Sequence, residues 1–354
     1  MSLASEIAEQ PEVAARLLGP GRHAIEAIAD RLAPRLRDRD IDNVVVAARG
    51  SSDHAAIYAQ YLFGARLRLP VALATPSLLS IYGVEPRLDR SVVIGISQSG
   101  RSPDIVGVVA AGRRQGAATV ALTNDPGSDL ARAADEAIDL AAGPELAVAA
   151  TKTYTAELLS IALLVTALAR DDPPATDPEA ALAGLPDAMA AALAAEPEAE
   201  IVARHLVDGG RDRLIVVGRG YEYATARELA LKLKELARVA ADPYSAADFL
   251  HGPLVLAEPG HPILVLAPSG AAAADVDELL ARLGELGVER IVVSDRGAAV
   301  GLGPVGIRLP PGVADWLMPI VSILPGQLLA RHLAFARGLD PEAPRWIGKV
   351  TLTR

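Results

Sequence analysis

The feature that most limits what this chain can fold into is that it repeats itself. The run Val44-Val-Val-Ala-Ala-Arg-Gly-Ser51 recurs as Leu214-Ile-Val-Val-Gly-Arg-Gly-Tyr221 at an offset of 170 residues. Val92-Val-Ile-Gly-Ile-Ser-Gln-Ser99 recurs as Ile263-Leu-Val-Leu-Ala-Pro-Ser-Gly270 at 171, Thr119-Val-Ala-Leu-Thr-Asn124 as Arg290-Ile-Val-Val-Ser-Asp295 at 171, and Ile138-Asp-Leu-Ala-Ala-Gly143 as Ile307-Arg-Leu-Pro-Pro-Gly312 at 169. Apolar runs of strand length that end in turns and alternate with helical stretches belong to parallel sheets covered on both faces. Matches in one register predict two tandem copies of one doubly wound α/β domain, a parallel sheet with helices on both faces. The expected division is a helical arm over 1–24, a first domain over 25–170, a linker over 171–195, a second domain over 196–339 and a tail over 340–354. The arm follows from helical spacing between about Glu6 and Leu36, broken by Gly19-Pro20-Gly21, and the linker from Asp171-Asp-Pro-Pro-Ala-Thr-Asp-Pro-Glu179, which suits neither helix nor strand.

Composition narrows the partners. With 51% hydrophobic and 22% charged residues the 354-residue chain builds sizeable cores, and with only 3% aromatics those cores are aliphatic. A net charge of −10 argues against a nucleic-acid partner. The absence of cysteine excludes disulfides, thiolate zinc sites and a cysteine nucleophile, and fits a cytoplasmic location. The amino terminus, Met1 to Pro11, has no basic region followed by an apolar core, and Leu158–Leu168 is too short to span a bilayer, so neither secretion nor membrane insertion is expected.

Chemistry concentrates in the turn after the run Ser91–Ile94. Ser97, Gln98, Ser99, Gly100 and Ser102 bring uncharged donors and open backbone to the start of a helix expected near Pro103, with Ser102 as its cap. That combination suits an anion; a capped surface turn is the alternative when the stretch is read alone. The second copy has Ala267-Pro-Ser-Gly270 at this place, so one phosphate site per chain is expected. In the second copy, Arg227 to Leu236 is a strong helix former with Leu229, Leu233 and Leu236 on one side and Glu228, Lys232 and Glu235 on a common face. Alone, it reads as an exposed salt-bridged helix. His251 stands in a loop beside Gly252 and Pro253. The six histidines show no metal-ligand spacing, and Gly218-Arg-Gly220 lacks the third glycine of a dinucleotide fingerprint, so no metal or nicotinamide cofactor is expected.

Taken in order, Arg49-Gly-Ser-Ser52, Ser97-Gln-Ser-Gly100, Ala142-Gly-Pro-Glu-Leu-Ala-Val-Ala-Ala-Thr-Lys152, Ala230-Leu-Lys-Leu-Lys-Glu235, His251-Gly-Pro-Leu254 and Pro344-Arg-Trp-Ile-Gly-Lys349 resemble the sugar isomerase (SIS) family. The likeness is to the isomerase half of glucosamine-6-phosphate synthase and to stand-alone SIS deaminases of glucosamine 6-phosphate. The resemblance implies a flavodoxin-like fold and a phosphate held by Gly50, Ser51, Ser52, Ser97, Gln98, Ser99 and Ser102, with the backbone near Val148 touching the sugar. It implies Glu235 as the base moving a proton between C1 and C2, and His251, supplied across a homodimer interface, as the ring-opening group. Lys349 would meet the open-chain carbonyl, and Lys232 would support the site. The sequence departs from the synthase pattern at Arg49, where that pattern has cysteine, at Ser51 in place of threonine, and at Arg101-Ser-Pro-Asp104. Without any cysteine, glutamine-dependent synthesis is not expected. The expected reaction is conversion of glucosamine 6-phosphate to fructose 6-phosphate and ammonia. The alternatives are a deglycase for fructosamine-type or N-substituted amino-sugar phosphates, and a sugar-phosphate sensor without catalysis.

Overall fold

A computed structural model describes residues 2–170 and 177–349. The chain opens with α1 (Leu3–Ala8), α2 (Gln10–Arg16) and, after a π-helical turn over Leu17–Gly21, α3 (Arg22–Arg37). The first sheet comprises β1 (Asn43–Ala47), β2 (Val71–Leu73), β3 (Ser91–Ile96), β4 (Ala118–Thr123) and β5 (Glu136–Asp139). Its helices are α4 (Ser51–Leu67), α5 (Ser77–Ser80), α6 (Pro103–Arg114) and α7 (Asp129–Ala133), followed by α8 (Lys152–Leu168). Next come α9 (Pro178–Ala183), α10 (Leu185–Leu193) and α11 (Glu196–Asp208). The second sheet has β6 (Arg213–Gly218), β7 (Ala240–Ser245), β8 (Ile263–Leu266), β9 (Arg290–Ser294) and β10 (Val305–Arg308). It carries α12 (Glu222–Ala237), α13 (Ala246–Leu250), α14 (Ala273–Glu285) and α15 (Gly297–Val300), then α16 (Met318–Ala336).

Both sheets are parallel, with orders β2-β1-β3-β4-β5 and β7-β6-β8-β9-β10, so the repeat seen in the sequence is a repeat of topology. In each, the connections diverge between the first and third strands, which is where such sheets open a crevice at their carboxyl ends. Strands β3, β4 and β8 are buried throughout, in keeping with their predominantly apolar sequences.

Two compact units divide the chain, and their boundaries differ from a simple cut. The first-sheet unit is Glu12–Glu145, Lys152–Leu182 and Gly348–Arg354, and the second-sheet unit is Met1–Pro11, Leu146–Thr151 and Ala183–Ile347. The arm is therefore shared between the units. Of the expected linker, 171–176 lie outside the described residues, while α9 and α10 occupy most of the remainder. Leu182, Leu185, Met189 and Ala192 are buried, and the chain passes from the first-sheet to the second-sheet unit between Leu182 and Ala183, within α9. Within the first-sheet unit α8 packs on α3 and α4; within the second, α16 packs on α10, α11 and α12. Among the described residues no helix is long and apolar enough to cross a membrane.

Candidate functional site

In the first-sheet unit two loops leave adjacent strands. The loop after β1 reaches α4 through Gly50, whose φ of +58° favours glycine at the helix boundary. The loop after β3 is tied down by its backbone: Gly100 N–H donates to the Ser97 carbonyl (3.1 Å) and Asn124 N–H to the Gln98 carbonyl (3.1 Å). Gly100 has a φ of +61°, and a Cβ there would lie 2.1 Å from Ser128 Oγ, so no other residue allows this turn. Ser97 Oγ accepts from Gly100 N–H, and Ser99 Oγ accepts a long bond from Arg101 N–H. Ser102 occupies the N-cap position of α6 but its side chain makes no cap bond. Asp104 explains this, because its own carboxylate takes the Ile105 N–H that a cap would have used. Ser52 is also committed elsewhere, as its hydroxyl donates to the buried Glu157 of α8 at 2.8 Å.

Across these two loops runs an ion pair that the motif reading left unremarked. Arg49 Nε and Nη2 both lie 3.0 Å from Asp104 Oδ2, whose side chain is fully buried in the first turn of α6.

The same unit holds Lys349. Its ammonium lies 2.5 Å from Glu145 Oε2, and Glu145 also accepts from Thr153 N–H (3.1 Å) and Thr153 Oγ1 (2.8 Å) at the start of α8. Val148, by contrast, lies in the segment Leu146–Thr151 of the second-sheet unit. That segment is held by Glu6, a buried carboxylate of α1 that accepts the N–H groups of Leu146 and Ala147. Nothing local in the sequence marks Glu6 or Glu145 for these roles, since each acts on a residue far along the chain.

The second-sheet unit carries the ionic helix. Leu229, Leu233 and Leu236 of α12 are buried, each contributing about 1.5–3 kcal/mol of apolar burial. The charged face is buried too, contrary to the exposed salt-bridged helix expected from the stretch alone. Lys232 Nζ lies 3.3 Å from Glu228 Oε1 and 2.6 Å from Glu235 Oε2, with Lys232 and Glu228 fully enclosed and the Glu235 side chain 23% exposed. Burial alone lowers the Lys232 pKa, but the charges of Glu228 and Glu235 outweigh it and hold the ammonium above its ordinary value. Glu235 is thus a carboxylate with one oxygen fixed by a buried cation and an edge reaching the surface, an arrangement suited to taking and returning a proton. His251 is exposed and follows α13, its N–H donating to the Asp248 carbonyl (3.1 Å).

Glu222, at the start of α12, went unnoticed in the sequence. It is fully buried and accepts from Ser322 Oγ of α16 at 3.0 and 2.8 Å. Burial pushes its carboxyl up to about 7 against the lowering effect of hydrogen bonds from Ser322 and Thr225, with Asp295 adding to the rise. It stands 170 residues from Ser52, and each copy thus has a buried serine–glutamate bond between the helix after its first strand and its last long helix, with donor and acceptor exchanged.

Strand order and loop placement define the molecule as a tandem flavodoxin-like α/β protein whose two copies carry different polar loops. The chain belongs to the SIS domain family, whose model matches residues 39–167 and 210–337. It is 35% identical over 354 residues to the glutamine–fructose-6-phosphate aminotransferase [isomerizing] of Thermococcus kodakarensis, covering 97% of this chain but 56% of that one. A Silicibacter pomeroyi structure, provisionally named a phosphosugar isomerase, matches with a TM-score of 0.82 and 37% identity over 96% of this chain and 100% of its own. The C-terminal domain of glucosamine-fructose-6-phosphate aminotransferase from Francisella tularensis matches with a TM-score of 0.83 and 26% identity over 96% of both chains.

Proposed function

We propose that this protein is a phosphosugar isomerase that converts glucosamine 6-phosphate and water to fructose 6-phosphate and ammonia. The observation that carries the reading is Glu235, a partly exposed carboxylate anchored on the buried Lys232 ammonium. In the proposed reaction the loop of Ser97, Gln98 and Ser99, with Ser51 and Ser102, binds the phosphate, and His251 opens the sugar ring. Glu235 removes the proton from C2 and returns it to C1; the imine left at C2 is hydrolysed, releasing ammonia. Phosphate binding remote from the reacting carbons supplies orientation. Lys349 meets the open-chain carbonyl, and its release from Glu145 is part of substrate entry. The reverse direction, amination of the ketose phosphate, is favoured by the names of the relatives at 35% identity or more.

Ammonia and fructose 6-phosphate measured from glucosamine 6-phosphate test the reading. The parent protein releases both, and Glu235→Gln loses at least about a thousandfold in kcat; no turnover of any hexosamine phosphate by the parent overturns it. We also propose a homodimer in which His251 serves the neighbouring subunit's site. Mixing inactive Glu235→Gln and His251→Asn proteins then restores up to about a quarter of parental activity by random exchange. A mixture that stays inactive although subunits exchange places His251 within its own subunit's site.

A further inference from the structure

We infer that Arg49 is a phosphate-binding residue, the cation that lets the first loop hold a dianion beside a buried carboxylate. The inference rests on the reading of that loop as the sugar-phosphate site. Every donor assigned there, Ser51, Ser97, Gln98, Ser99 and Ser102, is uncharged. Asp104, two residues past Ser102, brings a fully buried carboxylate into the first turn of the same helix, where it opposes an incoming dianion. Arg49 offsets that charge through Nε and Nη2, and it makes no hydrogen bond except to Asp104 among the described residues. Its side chain is 47% exposed, which leaves the rest of the guanidinium fork for an anion seated at the α6 amino terminus.

The second copy supplies an internal control. Arg219 and Asp275, at offsets of 170 and 171 from Arg49 and Asp104, form the same pair at 3.0 Å. There the loop is filled by the protein's own carboxylates, with Asp295 accepting Ser269 N–H (2.7 Å) and Ser269 Oγ, and Asp315 accepting Ala271 N–H (3.4 Å). The arginine–aspartate pair is therefore common scaffold. It serves an anion where the position of Asp295 is held by the uncharged Asn124.

Calorimetric titration of the full chain with inorganic phosphate and with glucosamine 6-phosphate tests this, using Arg49→Gln and Asp104→Asn. Arg49→Gln weakens both ligands by roughly thirtyfold and flattens the dependence of affinity on ionic strength. Asp104→Asn tightens them by roughly threefold or more, because the repulsion disappears and the guanidinium is released to the anion. If Asp104→Asn weakens binding as much as Arg49→Gln, the pair only fastens two loops together and the inference is overturned. Should Asp104→Asn fail to fold, the salt dependence decides: equal slopes for the parent and Arg49→Gln overturn it. Failure of the parent to bind either phosphate removes the underlying reading and this inference with it, an outcome distinct from a parent that binds with unchanged variants.

Discussion

The loops after β3 and β8 occupy the same place in two copies of one fold, yet they have opposite electrostatic character. In the first, Ser97, Gln98 and Ser99 are arranged by backbone bonds, and Asn124 is turned away from them, its amide donating to the Gly143 carbonyl and its oxygen accepting Ala142 N–H. In the second, Asp295 reaches back onto Ser269, and Asp315 onto Ala271. A loop whose donors face a carboxylate of its own protein has its anion already. The lesson is that a repeated scaffold can carry loops of different availability, with Asn124 against Asp295 one of the differences, beside Asp315 and the loss of the Ser97 and Ser99 hydroxyls, that separate the two copies.

The pairs that join the first and last helices of each copy extend the comparison, and they yield the largest expected effect. Glu222 keeps its proton to about pH 7 in the folded chain, whereas an unfolded glutamate loses it near 4.5. A carboxyl raised in this way stabilises fully below 4.5, and that contribution is lost as pH rises to about 7, a decline of about 3 kcal/mol. Denaturant titrations between pH 4.5 and 8 detect it, and Glu222→Gln removes that part of the decline and is the more stable protein at pH 8. An unchanged slope in the variant shows that Glu222 ionises without penalty.

Moving the second copy's charge into the first sharpens the contrast. Asn124→Asp places a carboxylate beside the Ser97–Ser99 loop and lowers phosphate affinity by roughly one to two orders of magnitude, measured by calorimetry at low salt, with the fold retained. The reciprocal change has the smallest effect. Asp295→Asn deprives Ser269 N–H and Oγ of a charged acceptor and costs about 1–2 kcal/mol in thermal or chemical unfolding, while the affinity for phosphate at the first loop stays as it was. A loss of that affinity breaks the view of the two loops as independent.

How much of this was legible beforehand depends on the range over which each signal acts. The Ser97–Ser102 turn and the face shared by Glu228, Lys232 and Glu235 were legible because turn chemistry and helical spacing are local. The repeat also contained more than was taken from it: Arg49 and Asp104 recur as Arg219 and Asp275, a signal for an ion pair that was present in the alignment. The capping role expected of Ser102 failed because Asp104 competes for the same N–H, and a side-chain choice of that kind is invisible to pattern. The expected exposure of the ionic helix failed because α12 packs against α16, β6 and β7 together, which spacing along α12 cannot report.

By itself, the sequence determined two parallel α/β copies, one polar loop richer than the other, and a carboxylate set three residues from a lysine. These follow from apolar runs, glycines and helical periodicity, interactions that reach only a few residues along the chain. Tertiary structure alone decided that Lys232 is buried, that Glu145 holds Lys349, that Glu222 meets Ser322, and that Asp295 fills the second loop. Each of these depends on packing, and its energy depends on burial and on a partner's position, neither of which leaves a periodic trace in sequence.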